Sequence, residues 1–214
     1  MPRKTALQSF ALVFLPRLQL RYKGIVAKLA RAKLEVLMKA ALEPAALPGV
    51  AVLEQTPIII EKLVSLASED QLHWKPSMER WSISETLAHL ADVEVAGFRE
   101  RIERMAQSDM PHLAAYDQNA QYQAGRYTSG KAREHLKVFC HERDRSLSWL
   151  RYLPESVLGR KGQHAEFGVI SVAQLMNEWA FHDLGHIRQI TELFRSRAFF
   201  PAMGPFQKGY TIRP

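Results

Sequence analysis

The longest periodic segment of this chain constrains its fold more than any other feature. It opens with a capping box, Ser171-Val-Ala-Gln174, and keeps a helical spacing of apolar residues to about Arg197, with Pro201 just beyond. Leu175, Trp179, Ile190 and Leu193 form one stripe, and His182 and His186 fall on that stripe one turn apart. Imidazoles on a core-facing stripe are costly unless their ring nitrogens find partners. At i, i+4 the two rings can converge on one ion at the ~2.0–2.1 Å of Zn–N bonds. Spacing alone leaves open the alternative of two hydrogen-bonded core histidines.

Three further helical segments are read upstream. The first takes Thr56 as N-cap and Pro57 as first helical residue, and runs through Ile-Ile-Ile-Glu-Lys-Leu-Val-Ser-Leu-Ala67. The second opens with the capping box Ser82-Ile-Ser-Glu85 and reaches about Gln107. The third runs from about Ser129 to Tyr152 and stops before Pro154. No alternating strand pattern of useful length is found. Residues Gly159 to Gly168 read as a polar, Gly-rich connection with room for a short extended piece. The segment from Ser108 to Thr128 is long for a bundle loop and suggests a crossover or a lid over a site. The expected fold is all-α, a four-helix bundle with one long crossover connection, preceded by a basic N-terminal arm.

Charge separates the arm from the bundle. Of the 29 Lys and Arg in 214 residues, nine lie in residues 1–50 against only Glu35 and Glu43, so the net +7 belongs to that segment. Residues 51–214 are neutral, which excludes a nucleic-acid-binding face built into the folded domain. A Pro/Gly-marked linker, Glu43 to Gly49, divides an arm at 1–50 from a bundle at 51–214. The arm has three readings: a targeting or membrane-surface segment, an amphipathic helix over Ile25–Leu42, or an extension ahead of a true start at Met38. Its apolar run, Phe10 to Leu15, is too short to span a bilayer, so membrane association is not expected. The single cysteine, Cys140, rules out an internal disulfide and a cysteine-based zinc site, and fits a cytoplasmic setting. It reads as a small core residue.

A bundle-core metal site needs a third ligand from another helix. On the second helix the candidates are His89, Asp92 and Glu94. The stripe of Ile83, Leu87, Leu90, Ala91, Phe98, Ile102 and Met105 takes in Glu94, whereas His89 lies well off it. Periodicity alone therefore favours Glu94. Glu94 could equally pair with Arg143, which falls on the third helix's stripe, and that structural pairing is the preferred reading of Arg143. Asp92 and Glu178 lie one turn from His89 and His182. Each could orient a ligand or act as a base, with a solvated carboxylate as the plain alternative. His164, in the Gly-rich connection, would line a site mouth or, by default, sit exposed on a loop.

The segment Arg80-Trp-Ser-Ile-Ser-Glu-Thr-Leu-Ala-His-Leu-Ala-Asp92, followed about ninety residues later by His182-Asp-Leu-Gly-His186-Ile-Arg-Gln189, resembles the DinB superfamily. It is most similar to the YfiT-like members, described as metal-dependent hydrolases, and the resemblance covers roughly residues 52–200. It implies a four-helix bundle holding one divalent ion, zinc, nickel or iron, through His89, His182 and His186. Carried over by position, it thus favours His89 over Glu94; a helix packed between two neighbours can present a flank residue at a seam, so the helical wheel is not a veto. The resemblance also implies hydrolysis or transfer chemistry on a small-molecule substrate, the latter with a low-molecular-weight thiol such as bacillithiol or mycothiol as cosubstrate. A non-catalytic, stress-linked binding bundle is the rival class. Homodimers are common among bundles of this size, but no residue here sets the oligomeric state.

Overall fold

The computed structural model describes residues 47–213, together with Lys28 and Arg31 of the arm, both helical and exposed. The proposed start at Met38, the full pattern Ile25–Leu42 and the apolar run near residue 12 lie outside the described residues. Among the described residues no helix is long and apolar enough to cross a membrane.

The bundle is built from α1 (Val50–Leu66), α3 (Ile83–Val93), α6 (Ala132–Leu150) and α7 (Val172–Ala198). Helix α3 continues through a π-helical segment, Glu94–Arg99, into α4 (Glu100–Gln107). A short α2 (Glu69–His73) follows α1 and carries its own capping box, Ser68 with Gln71. Helix α1 packs on α6 and α7, and α3 packs on the same two, so chain order visits opposite corners of the bundle first. Both capping boxes read from the sequence form, Ser82 with Glu85 and Ser171 with Gln174.

Helix α1 begins at Val50, well before the expected start at Thr56. Gly49 makes the entrance with φ of 75°, and a Cβ there would lie 2.6 Å from the Ala180 Cβ, so the chain turns in close contact with α7. Pro57 thus sits inside the helix, where its missing N–H frees the Leu53 carbonyl. That carbonyl is not orphaned, because the Arg143 Nη1 donates to it at 2.8 Å. The Thr56 hydroxyl, rather than capping, donates to the Val52 carbonyl at 2.9 Å. A tertiary partner removes most of the reason to break the helix at proline.

The crossover between α4 and α6 carries β1 (His112–Leu113) and α5 (Gln118–Gln123). The Gly-rich connection folds as a hairpin of β2 (Lys161–His164) and β3 (Gly168–Ser171). The strands form one small sheet in the order β1-β2-β3, with β1 parallel and β3 antiparallel to β2. Gly162 is needed in β2, since a Cβ would come within 2.8 Å of the Leu113 side chain.

The core falls into two apolar clusters. One gathers Leu53, Phe98, Ile102, Leu147, Val172 and Trp179; the other gathers Ile60, Leu87, Leu90, Phe139, Ile190 and Leu193. On each of the four helix rods a polar residue sits between the two sets: Thr56 on α1, His89 and Glu94 on the second rod, Arg143 on α6, and His182, Asp183 and His186 on α7. A polar layer therefore divides the core at mid-height, and the site lies in that layer.

Candidate metal centre

Helix α7 presents His182 and His186 one turn apart, and α3 brings His89 against them. The His182 Nε2 lies 3.2 Å from the His89 Nε2 and 3.1 Å from the His186 Nε2. One ligand atom from each of the three rings lies within 4.8 Å of the others. Nitrogens held at ~2.0–2.1 Å around one tetrahedral ion stand about 3.3 Å apart, close to this spacing.

Two of the three outer nitrogens favour the same arrangement. The Gln189 Oε1 accepts from the His186 Nδ1–H at 2.9 Å, and the Tyr127 hydroxyl lies 3.4 Å from the His89 Nδ1. With Nδ1 protonated in both rings, the Nε2 lone pairs turn toward one another, the tautomer that metal ligation requires. Burial holds all three imidazoles neutral at physiological pH. It lowers His89 to about 2, with His186 and His182 adding to the effect, and lowers His182 to about 3, with His186 and Arg143 adding. Burial also lowers His186, against the opposing pull of Gln189 and Asp183. Three neutral, desolvated donors facing one point fit a divalent cation.

A chain of hydroxyls reaches outward from His89. The Tyr127 and Tyr116 oxygens are 2.5 Å apart, and the Tyr116 hydroxyl donates to the Asp92 carboxylate at 2.6 Å. Arg126 donates to the other Asp92 oxygen at 2.9 Å. Burial raises the pKa of both phenols, Tyr127 to about 12, so both act as neutral donors. Trp81 covers the His89 ring at a centroid distance of 5.0 Å and stacks on Tyr122. The crossover thus encloses α3 from the side that the helical wheel assigned to solvent. Residues 82–90 are buried without exception, which is why a wheel with one apolar face misjudged His89.

Glu94 points into the core as its periodicity indicated, but its oxygens are already engaged. Arg143 donates to both at 2.9 and 2.8 Å, and the Trp179 indole N–H donates to one at 3.2 Å. Arg143 also donates to both oxygens of Asp183, at 2.6 and 3.0 Å. With the Leu53 carbonyl, one guanidinium ties all four bundle rods together. Burial works against its charge, but Glu94 and Asp183 outweigh burial and hold its pKa above the ordinary value. Asp183 was not singled out from sequence, although a carboxylate on the stripe of Trp179 and Ile190 is a readable signal.

Asp92 therefore reaches His89 through two tyrosines. Glu178 is exposed beside His182, and partial desolvation by its surroundings raises its pKa, opposed by Arg101. His182 and His186 open onto a cleft of about 750 Å³ that also meets Glu178, Arg80, Arg188 and Arg213. A smaller cavity of about 270 Å³ touches His89 and His182 from the hairpin side. His164 departs from its expected loop exposure: at 2% exposure it is buried, because β2 pairs on both edges and Phe167 stacks on the ring. Cys140 is half-buried, and burial raises its thiol pKa, consistent with an inert packing role.

The sequence profile of the DinB superfamily matches residues 53–190. No curated protein matches the chain significantly in sequence. Among solved structures, YfiT from Bacillus subtilis, described as a probable metal-dependent hydrolase with an unusual four-helix bundle topology, matches with a TM-score of 0.63 at 22% identity. The match covers 69% of this chain and 85% of YfiT.

Proposed function

Because this chain belongs to the DinB superfamily, we propose that it is a metal-dependent enzyme acting on a small molecule, with His89, His182 and His186 holding one divalent ion. The observation that carries this reading is the convergence of three neutral Nε2 atoms, 3.1–3.2 Å apart in successive pairs, two of them on rings that line an open cleft. Three protein ligands leave room for an exogenous one, the mark of a catalytic rather than structural centre. When bound, the ion supplies Lewis-acid polarisation and lowers the pKa of a coordinated water or thiol.

The remaining work falls to this chain's own groups. Tyr127 and Gln189 hold the His89 and His186 rings in orientation, and Asp92 anchors the tyrosines. Glu178, with its raised pKa and its place in the cleft, is the group assigned to carry a proton during the reaction. Hydrolysis is the leading reaction, in keeping with the description of YfiT. The breadth of the cleft, near the upper part of the ~300–1,000 Å³ range of ligand sites, gives transfer from a low-molecular-weight thiol to an electrophile a footing as well.

Metal analysis of the purified full-length protein tests the first step. One ion per chain is expected, lost in His89→Ala, His182→Ala and His186→Ala; a metal content unaffected by His182→Ala would sink the site. Turnover of ester, amide or lactone substrates without thiol supports hydrolysis, and consumption of an electrophile only with thiol supports transfer. A metal-loaded protein inactive in both assays points to a binding protein.

A further inference from the structure

Behind the β2–β3 hairpin lies a recess of about 290 Å³ walled by Phe167, Ile170 and Leu175. Arg101, His164, Phe167 and Glu178 line both this recess and the smaller cavity that touches His89 and His182. The two spaces adjoin, so an apolar recess opens beside the three-histidine centre.

At the junction two side chains carry N–H groups that nothing among the described residues accepts. The His164 Nδ1 accepts the backbone N–H groups of Glu166 at 3.1 Å and Phe167 at 3.4 Å. That assigns the ring hydrogen to Nε2, on the opposite edge, and this nitrogen is buried without a partner among the described residues. A buried donor left unmet is costly, so its presence here points to a ligand. Arg101, half-buried, makes one hydrogen bond among the described residues, to the Ala114 carbonyl at 2.8 Å. Glu166 and Glu178 attract its guanidinium, yet neither closes an ion pair with it among the described residues. Phe167 covers the His164 ring at 4.8 Å while remaining 74% exposed, so it can swing aside without leaving a core.

We propose that Arg101 and His164 form a carboxylate subsite, which takes a small organic acid whose apolar body fills the recess of Phe167, Ile170 and Leu175. A charged guanidinium beside a neutral N–H donor is the chemistry that recognises a carboxylate. Glu166 and Glu178 at the same junction disfavour a dianion such as phosphate, and the recess is small for a ligand site, which limits the acid to one ring or a short chain. The subsite deepens the metal-dependent reading by naming its substrate class; it rests on that reading for reaction, but not for binding.

Benzoate is the probe and benzamide its uncharged control, titrated calorimetrically into full-length protein as purified and after chelation. Benzoate is expected to bind at least about tenfold more tightly than benzamide, and Arg101→Gln to remove that preference. His164→Asn keeps an acceptor near the Nδ1 position for the hairpin and deletes the outer donor, so benzoate affinity should fall about tenfold. His164→Gln, which restores a donor near Nε2, should recover part of it. Equal binding of the two probes, no binding of either, or unchanged benzoate affinity in the folded variants would overturn the subsite. If the His164 variants do not fold, Arg101→Gln alone decides. Lost benzoate binding with metal content intact isolates the subsite from the metal centre. Arg101-dependent benzoate binding in a protein that holds no metal as purified keeps the subsite and removes the metal reading.

Discussion

Arg143 and His182 occupy the same polar layer of the bundle, but their hydrogen bonding is opposite in kind. All five N–H groups of the guanidinium meet an acceptor: two oxygens of Glu94, two of Asp183 and the Leu53 carbonyl. The imidazole of His182 has a buried Nδ1 with no partner among the described residues, and its Nε2 faces two other imidazole nitrogens. A buried polar group with every bond made acts as a tie between helices. One whose lone pair converges with those of its neighbours on a shared point acts as a receptor. Burial alone does not separate structure from function here; completeness of pairing does.

That contrast can be broken most directly at Arg143. Arg143→Met strands two buried carboxylates, and urea denaturation should register a loss of about 3–5 kcal/mol, or failure to fold. A loss below about 1 kcal/mol would mean that the network is not the clamp described. Metal removal comes next. A ligand present at a thousand times its Kd adds about 4 kcal/mol, so chelation should lower the thermal midpoint of the wild type and leave His182→Ala unchanged. Metal-free His182→Ala should be far less destabilised than Arg143→Met, because no buried partner charge is left unpaired.

A smaller effect is expected at the tyrosine relay. Tyr127→Phe deletes the acceptor for the His89 Nδ1–H and should weaken metal affinity about 10–100-fold in competition with a chelating indicator, with Asp92→Asn affected less. The smallest change is predicted at Pro57. A proline inside a helix usually costs about 3 kcal/mol, but Pro57→Ala should raise stability by much less, because Arg143 already satisfies the carbonyl that proline frees. A gain near the full value would show that the Leu53 contact is weak.

Much of this was legible from local pattern. Ser82 with Glu85 and Ser171 with Gln174 announce two helices because a capping box is complete within four residues. His182 and His186 share a face because one turn of helix puts them there. The pairing of Glu94 with Arg143 was readable from two charges on two apolar stripes. What local pattern missed depended on contact with distant segments. Ser68 and Gln71 cap the short α2 by the same rule, but the helix is too short to show periodicity. Thr56 and Pro57 imitate a helix start because the Arg143 guanidinium that tolerates Pro57 inside α1 arrives from another helix. Tyr116 and Tyr127 lie in a crossover with no regular repeat, so nothing nearby marks them as partners of Asp92 and His89.

The histidine pair of α7 and the helical character of the bundle are properties of the sequence itself, since 3.6-residue periodicity and caps act within a few residues. The third histidine is different. His89 lies off its helix's apolar stripe and becomes a core residue only because the crossover, with Trp81, Tyr116 and Tyr127, closes over that flank of α3. Tertiary structure likewise decided that His164 is buried, with one donor unmet among the described residues. In each case the outcome depends on which distant group reaches the side chain, information that no single helix contains.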